Sequence, residues 1–548
     1  MIHHVEVQVL VLLLVAAFVA MGARRFKLPY TLALVVAGLV LGGLKLGVLS
    51  DVELNADLLL LLLLPALLFE AAFHIDLREF RRNIVPIVTL AVPGVLLATG
   101  TAALLLFGGL GATGLVTGFG WREALLFASV IAATDPVSVL ALFKEFGVAK
   151  RLYLVVEGES LLNDGVAVVL FVIITGAYGL SSTHAMPADA GLFSYGLETF
   201  ARMAIGGAAL GVGLGGGFSL LTRQIDDHLI ETTLTTILAY GSFLVAEQLH
   251  LSGVLCTVFA GIVAGSVGAR TGMSASTRNA VEDFWEFGGF IANSFIFLLV
   301  GLELDPIALV ESAVAIIVAF AAVCMARAAA IYSGVPLANR WAQPLPRAWT
   351  HVMVWGGLRG SLSMVLILTL PQSFAGRSTL VTLVFGVVAL SLFVQGLTMG
   401  PLLKRLGLLE GKTRHDAYER ARATSIMTRR ALEELGELER DGLVAPQVSA
   451  RLNAWYGARG AQAEKDAKSA LGSSQIVEQL AETLRRLAEA ERRGVREAEH
   501  AAIVDVEIAE ELDRELMLRL HELDEAQGAP IADLEERLES LLQPPAQE

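Results

Sequence analysis

Of the 548 residues, 55% are hydrophobic and only 18% are charged, and the mean hydropathy is +0.63. A soluble chain of this length carries roughly 25% charged residues, so most of this one is not built for water. Cys256 and Cys324 both lie in apolar runs, which excludes a disulfide framework or a cysteine zinc site, and no basic domain points to nucleic acid.

The charge is unevenly placed. Residues 1–410 hold 22 Lys and Arg against 26 Asp and Glu, whereas residues 411–548 hold 19 against 29. That division predicts an all-α polytopic membrane domain over 1–410 and an acidic, helical, cytoplasmic tail over 411–548. No Lys or Arg precedes the first apolar run and no cleavage signal follows it, so the N-terminus reads as a first span and not as a removed signal peptide. Apolar windows of about 20 residues, the length that crosses a bilayer core, recur at 5–22, 29–48, 56–74, 84–108, 122–145, 152–178, 195–222, 229–248, 251–268, 280–303, 307–333, 348–371 and 379–403. The expectation is therefore about thirteen transmembrane helices. One set of alternating loops carries sixteen Lys and Arg, among them Arg78, Arg81, Arg82, Lys144, Lys150 and Arg151. The opposite set carries only Lys45, Arg122, Arg202 and Arg377. Basic loops stay in the cytoplasm, which predicts an outside N-terminus and a cytoplasmic tail.

Ionisable residues at membrane depth are costly and mark candidate sites. The sixth span reads VEGESLLND from Val156 to Asp164; Glu159 and Asn163 are one helical turn apart, as are Ser160 and Asp164. Such a face offers hard oxygen ligands to a small cation, or it is a polar seam between helices. In the fifth span Thr134, Asp135 and Pro136 place an acid beside a residue that interrupts helical hydrogen bonding. In the twelfth, Gly356, Gly357 and Gly360 flank Arg359, whose guanidinium needs a carboxylate or helix C-terminal carbonyls, with Glu159 the preferred partner. With the seventh span as a linker, the two breaks occupy equivalent positions in two six-helix inverted halves and cross at the midplane, the arrangement of secondary transporters. Glu70, near the end of the third span, is a candidate lining of the ion path. Asn293 and Ser294 read as helix-packing contacts, His74, His250 and His351 as interfacial, and the glycines from Gly206 to Gly217 as a close-packing surface.

Taken together, Ala133 to Ser138, Gly158 to Gly165 and Gly357 to Gly360 resemble the NhaP/NHE-type sodium/proton antiporters of the monovalent cation/proton antiporter superfamily. Leu28 to Tyr30, Phe69 to Ala71 and Phe295 to Gly301 fit the same pattern, and the likeness covers about residues 5–405. It implies a homodimer working by elevator-like alternating access, without a cofactor, in a bacterial-type inner membrane. It further implies that Asp164 binds either the cation or a proton, with Ser160 and the Thr134 carbonyl as Na⁺ ligands and Asp135 and Glu159 nearby. Electrogenic relatives carry a second aspartate where this chain has Asn163, which implies one-for-one electroneutral exchange. Na⁺ or Li⁺ is the expected cation; K⁺/H⁺ exchange on the same fold is the alternative, and a cation channel a more distant one. No nucleophile–base pair at depth suggests an enzyme.

The tail has helical spacing around 415–440, 474–493, 496–526 and 530–542, with Ile508, Leu512, Leu516, Leu520 and Leu523 on one stripe. Gly436, Gly442, Pro446, Gly457 and Gly460 are expected to break it into pieces, and its position suggests regulation or dimer stabilisation.

Overall fold

The computed structural model describes residues 2–517 apart from 27–28, 45–58, 182–184, 188, 190, 224–226, 270–272, 409, 471–472, 501–502, 506 and 510. All regular secondary structure among the described residues is helical. Contacts divide the chain into two compact units, Met1–Gly407 and Leu408–Glu548.

In the first unit the helices are α1 (Ile2–Phe26), α2 (Tyr30–Gly43), α3 (Leu60–Phe73), α4 (Ile84–Ala112), α5 (Trp121–Ala132), α6 (Val137–Phe146) and α7 (Lys150–Ala177). They are followed by α8 (Leu192–Thr222), α9 (His228–Gln248), α10 (Gly253–Gly268), α11 (Ala275–Glu303) and α12 (Ala313–Ala338). The unit closes with α13 (Arg347–Trp355), α14 (Ser361–Leu368) and α15 (Arg377–Arg405). Seven of these, α4, α7, α8, α9, α11, α12 and α15, are long and apolar enough to cross a membrane; α1, α2, α3 and α10 are shorter apolar helices. The remaining four form two interrupted pairs, α5 with α6 and α13 with α14.

Small residues let the helices approach closely, since lipid offers no hydrophobic drive for their association. Every fourth residue of the α8 glycine run meets α10: a side chain at Gly207 would strike the Ser252 carbonyl at 2.7 Å, and one at Gly215 the Ala260 carbonyl at 2.8 Å. Gly213, Gly216 and Gly217, off that face, touch nothing. The same device locks α2 to α11, where Gly38 lies against Gly301, and α3 to α10, where Gly261 lies against Ala72. The core these crossings build is mainly apolar, with Phe69, Phe127, Phe297 and Trp285 fully buried.

The second unit contains α16 (Glu410–Arg440), α17 (Pro446–Ala470) and α18 (Ser473–His500). Only part of the expected punctuation acts as a break. Gly442, with φ of +69°, ends α16, and Pro446 starts α17, as the left-handed turn and the fixed proline φ require. Gly436, Gly457 and Gly460 sit inside helices instead. At Gly460 the missing side chain brings α17 against Thr428 of α16. The expected division between 474–493 and 496–526 is likewise absent at Gly494, since α18 runs through it. Leu520, Leu523 and the segment 530–542 lie outside the described residues. Near the end of the described tail Arg492 grips Asp513 at 2.6 and 3.0 Å, and that hydrogen-bonded guanidinium holds the Asp513 carboxyl below the usual range.

Candidate functional site

The two helix interruptions meet. Between α5 and α6, residues 133–136 leave the helix just before Pro136, as the missing proline donor and the steric demand on the preceding residue dictate. Between α13 and α14, residues 357–360 leave the helix, with Gly360 extended. The Asp135 N–H donates to the Leu358 carbonyl at 2.8 Å, so the two irregular segments satisfy each other's backbone. Gly360 is required at this contact, because its hydrogen faces Asp135 so closely that a Cβ would overlap that side chain.

Arg359 is buried, and its Nη1 donates to the Ala132 carbonyl at 3.0 Å and to that of Ala133 at 3.4 Å, the unsatisfied C-terminal end of α5. It does not pair with Glu159. That carboxylate, 1% exposed, is held bidentately by Arg327 of α12 at 2.7 and 2.9 Å. The choice is geometric: α12 brings a planar guanidinium fork to the acid, while Arg359 comes from the crossing itself and reaches the α5 carbonyls. Arg327 carried the same signal as Arg359, a charge in the middle of an apolar span, but lacked the flanking glycines that drew attention to Arg359.

A cavity of about 250 Å³ opens beside the crossing. Asp164, Ser160, Thr134, Asp135 and Glu70 all line it, and so do Asn293, Lys144, Tyr153 and Glu157. Glu159 and Asn163 do not; the Glu159 carboxylate is turned to Arg327 instead. Asn163 faces the α5 terminus, donating from Nδ2 to the Ala132 carbonyl at 3.1 Å and to Thr134 Oγ1 at 3.0 Å. Ser160 Oγ donates to the Thr134 carbonyl at 2.6 Å, and Asp135 Oδ1 accepts the Val137 N–H at 3.0 Å. Asp164 Oδ1 is enclosed and accepts no hydrogen bond, and Asn163 Oδ1 is in the same condition. Enclosed oxygen acceptors of this kind cost free energy unless a proton or a cation supplies the missing partner.

Glu70 reaches the cavity from α3, with His74 Nδ1 3.6 Å from its carboxylate. Ser294 is a packing residue, bonded to Tyr30 across α2 and α11 at 2.7 Å, whereas its neighbour Asn293 lines the cavity. His351 is 2.7 Å from the Tyr332 hydroxyl, and His250 occupies a left-handed turn at φ 55° after α9; neither lines the cavity. Glu157 escaped the sequence reading, although it sits seven residues before Asp164 and so returns to the same helical face.

A helical membrane protein that presents an enclosed, unsatisfied carboxylate at the crossing of two broken helices is built as a carrier of small ions. The sodium/hydrogen exchanger transmembrane family matches residues 9–405. The chain is 36% identical over 470 residues to the Na⁺/H⁺ antiporter NhaG of Bacillus atrophaeus, covering 83% of this chain and 85% of that one. It is 39% identical over 417 residues to the Na⁺/H⁺ antiporter NhaH of Halobacillus dabanensis, covering 74% and 99%. The sodium proton antiporter MjNhaP1 of Methanocaldococcus jannaschii shares the fold, with a TM-score of 0.59 at 18% identity over 75% of this chain and 99% of that one. This chain belongs to the sodium/hydrogen exchanger family: it is an integral membrane antiporter of the NhaP type, not an enzyme.

Proposed function

We infer that the protein exchanges Na⁺, or Li⁺, for H⁺ at Asp164, one for one, by alternating access. The observation that carries this reading is Asp164, which lines the cavity and whose Oδ1 is buried without a hydrogen-bond donor. A proton or a bare cation satisfies that oxygen, and each excludes the other, which couples the two fluxes through one carboxylate. Ser160 and the Thr134 carbonyl, already in mutual contact at 2.6 Å, complete an oxygen ligand set of the kind hard cations prefer. Asn163 does not titrate, so a single acid cycling between its two loads moves no net charge. Asp135 also lines the cavity, and one-for-one exchange requires it to keep one protonation state throughout.

The membrane arrangement belongs to the same reading: thirteen spans, with the N-terminus outside and the tail cytoplasmic, and two six-helix inverted halves that carry the broken helices. Lys144, from one of the basic loops, lines the cavity, which supports an opening toward the cytoplasmic face by the charge rule. A homodimer moving by an elevator-like displacement follows from the family resemblance, and the tail over 411–548 is assigned to regulation or dimer contact.

The experiment is dissipation of a pH gradient in proteoliposomes by Na⁺, Li⁺ or K⁺, with and without an imposed voltage. Collapse by Na⁺ or Li⁺ at a voltage-independent rate, lost in Asp164→Asn, is the expected result. Response to K⁺ alone would change the cargo, a voltage-dependent rate would give Asp135 a titrating part, and an active Asp164→Asn would overturn the reading.

A further inference from the structure

Asp164 is not the only acid that lines the cavity. Glu157 lies seven residues before it on α7, almost two full turns, so the two side chains share one face about 10 Å apart along the axis. Both line the same cavity, and Ser160 lines it between them. Glu157 is only 7% exposed, yet among the described residues no arginine is paired with it. It accepts instead from the Tyr153 hydroxyl, which donates to Oε1 at 3.3 Å. Tyr153 itself carries Lys144 over its ring at 5.8 Å, and Glu70 faces the cavity from α3. Two residues further along the same helix, Glu159 has both oxygens taken by Arg327, which is how this fold treats an acid whose role is structural. Glu157 is treated differently, and it shares its cavity with Asp164, whose Oδ1 is buried without a donor.

We propose that Glu157, with the Tyr153 hydroxyl, is a staging site that draws the incoming monovalent cation out of water and delivers it along the α7 face to Asp164. This rests on Asp164 as the exchange site and adds a residue that sets the apparent affinity. A carboxylate holding a cation at the head of a narrow path raises its local concentration without entering the exchange step. Removing the charge should therefore weaken capture and leave turnover at saturating cation intact.

The test is Na⁺ titration of exchange in proteoliposomes for the wild type, Glu157→Gln, Glu157→Asp and Asp164→Asn. At about 10 Å and an effective dielectric near 20, loss of the charge should raise the half-saturating Na⁺ concentration about ten-fold. The maximal rate should stay within about two-fold of wild type, and Glu157→Asp should recover most of the affinity because the charge is restored. Independently of any variant, the wild-type half-saturating Na⁺ should climb as choline chloride is raised from about 0.01 to 1 M, since salt screens long-range attraction. An unchanged half-saturation in folded Glu157→Gln beside an inactive Asp164→Asn would overturn the staging site and leave the exchange site standing. A fall in maximal rate without an affinity change, or no recovery with Asp, would make Glu157 merely structural and overturn the proposal. If Glu157→Gln does not fold, a wild-type half-saturation indifferent to choline overturns it. An active Asp164→Asn would overturn the exchange site itself, and the staging site with it.

Discussion

The two polar faces of α7 start from the same residue types and end differently. On one, Glu159 and Asn163 are spent on neighbours: the acid on the Arg327 fork, the amide on the end of α5. On the other, Glu157, Ser160 and Asp164 look into the cavity, and Asp164 keeps an oxygen without a donor. A buried acid is held by whatever donor the adjacent helix supplies, and Asp164 Oδ1, like Asn163 Oδ1, is supplied with none. The comparison separates groups that hold the fold from groups that give it something to do, on a helix where charge and depth alone do not.

Five variants break or sharpen that separation. Asp164→Asn should abolish Na⁺-driven pH-gradient collapse to the level of protein-free liposomes while the detergent-solubilised protein melts no lower than wild type, because a neutral amide replaces an acid that burial penalises. A large loss of stability there would merge the two faces. Arg327→Ala should cost about 3–5 kcal/mol by stranding the Glu159 carboxylate, and the paired change Arg327→Met with Glu159→Gln should recover much of it; thermal unfolding of the purified protein reads both. Asn163→Ala should cost about 1–2 kcal/mol, because Thr134 Oγ1 loses its donor while the Ala132 carbonyl keeps Arg359. The smallest change is Ser160→Ala, which removes the bond to the Thr134 carbonyl. It should cost about 0.5–1.5 kcal/mol of stability and raise the half-saturating Na⁺ concentration in the flux assay.

Both helix breaks were legible in the sequence, because proline and glycine write their effect directly on the backbone: Pro136 removes a donor, and Gly360 removes a Cβ that the crossing has no room for. Seven of the expected spans, now α4, α7, α8, α9, α11, α12 and α15, were equally readable, since bilayer thickness sets their length. Partnership was not. Whether Arg327 or Arg359 meets Glu159 depends on which helix lies beside α7, and spacing along one chain carries no such information. Glu157 was missed for a related reason: attention to pairs four residues apart hides a residue seven apart, which a helix also returns to the same face. In the tail the glycines misled because one inside a helix costs only about 1 kcal/mol, and at Gly460 a Cβ would crowd Thr428 of the neighbouring helix.

The backbone bond from Asp135 to Leu358 and the grip of Arg359 on the Ala132 and Ala133 carbonyls tie the crossing from both sides. Irregular backbone ordinarily trades its amide protons with solvent quickly, and regular helix slowly. Here the order should invert: the Asp135 amide, outside any helix, should be among the late exchangers in deuterated buffer, slower than amides in the first turn of α6. The least regular stretch of the membrane unit would then be one of its stiffest, and any movement that carries one broken helix would have to carry the other.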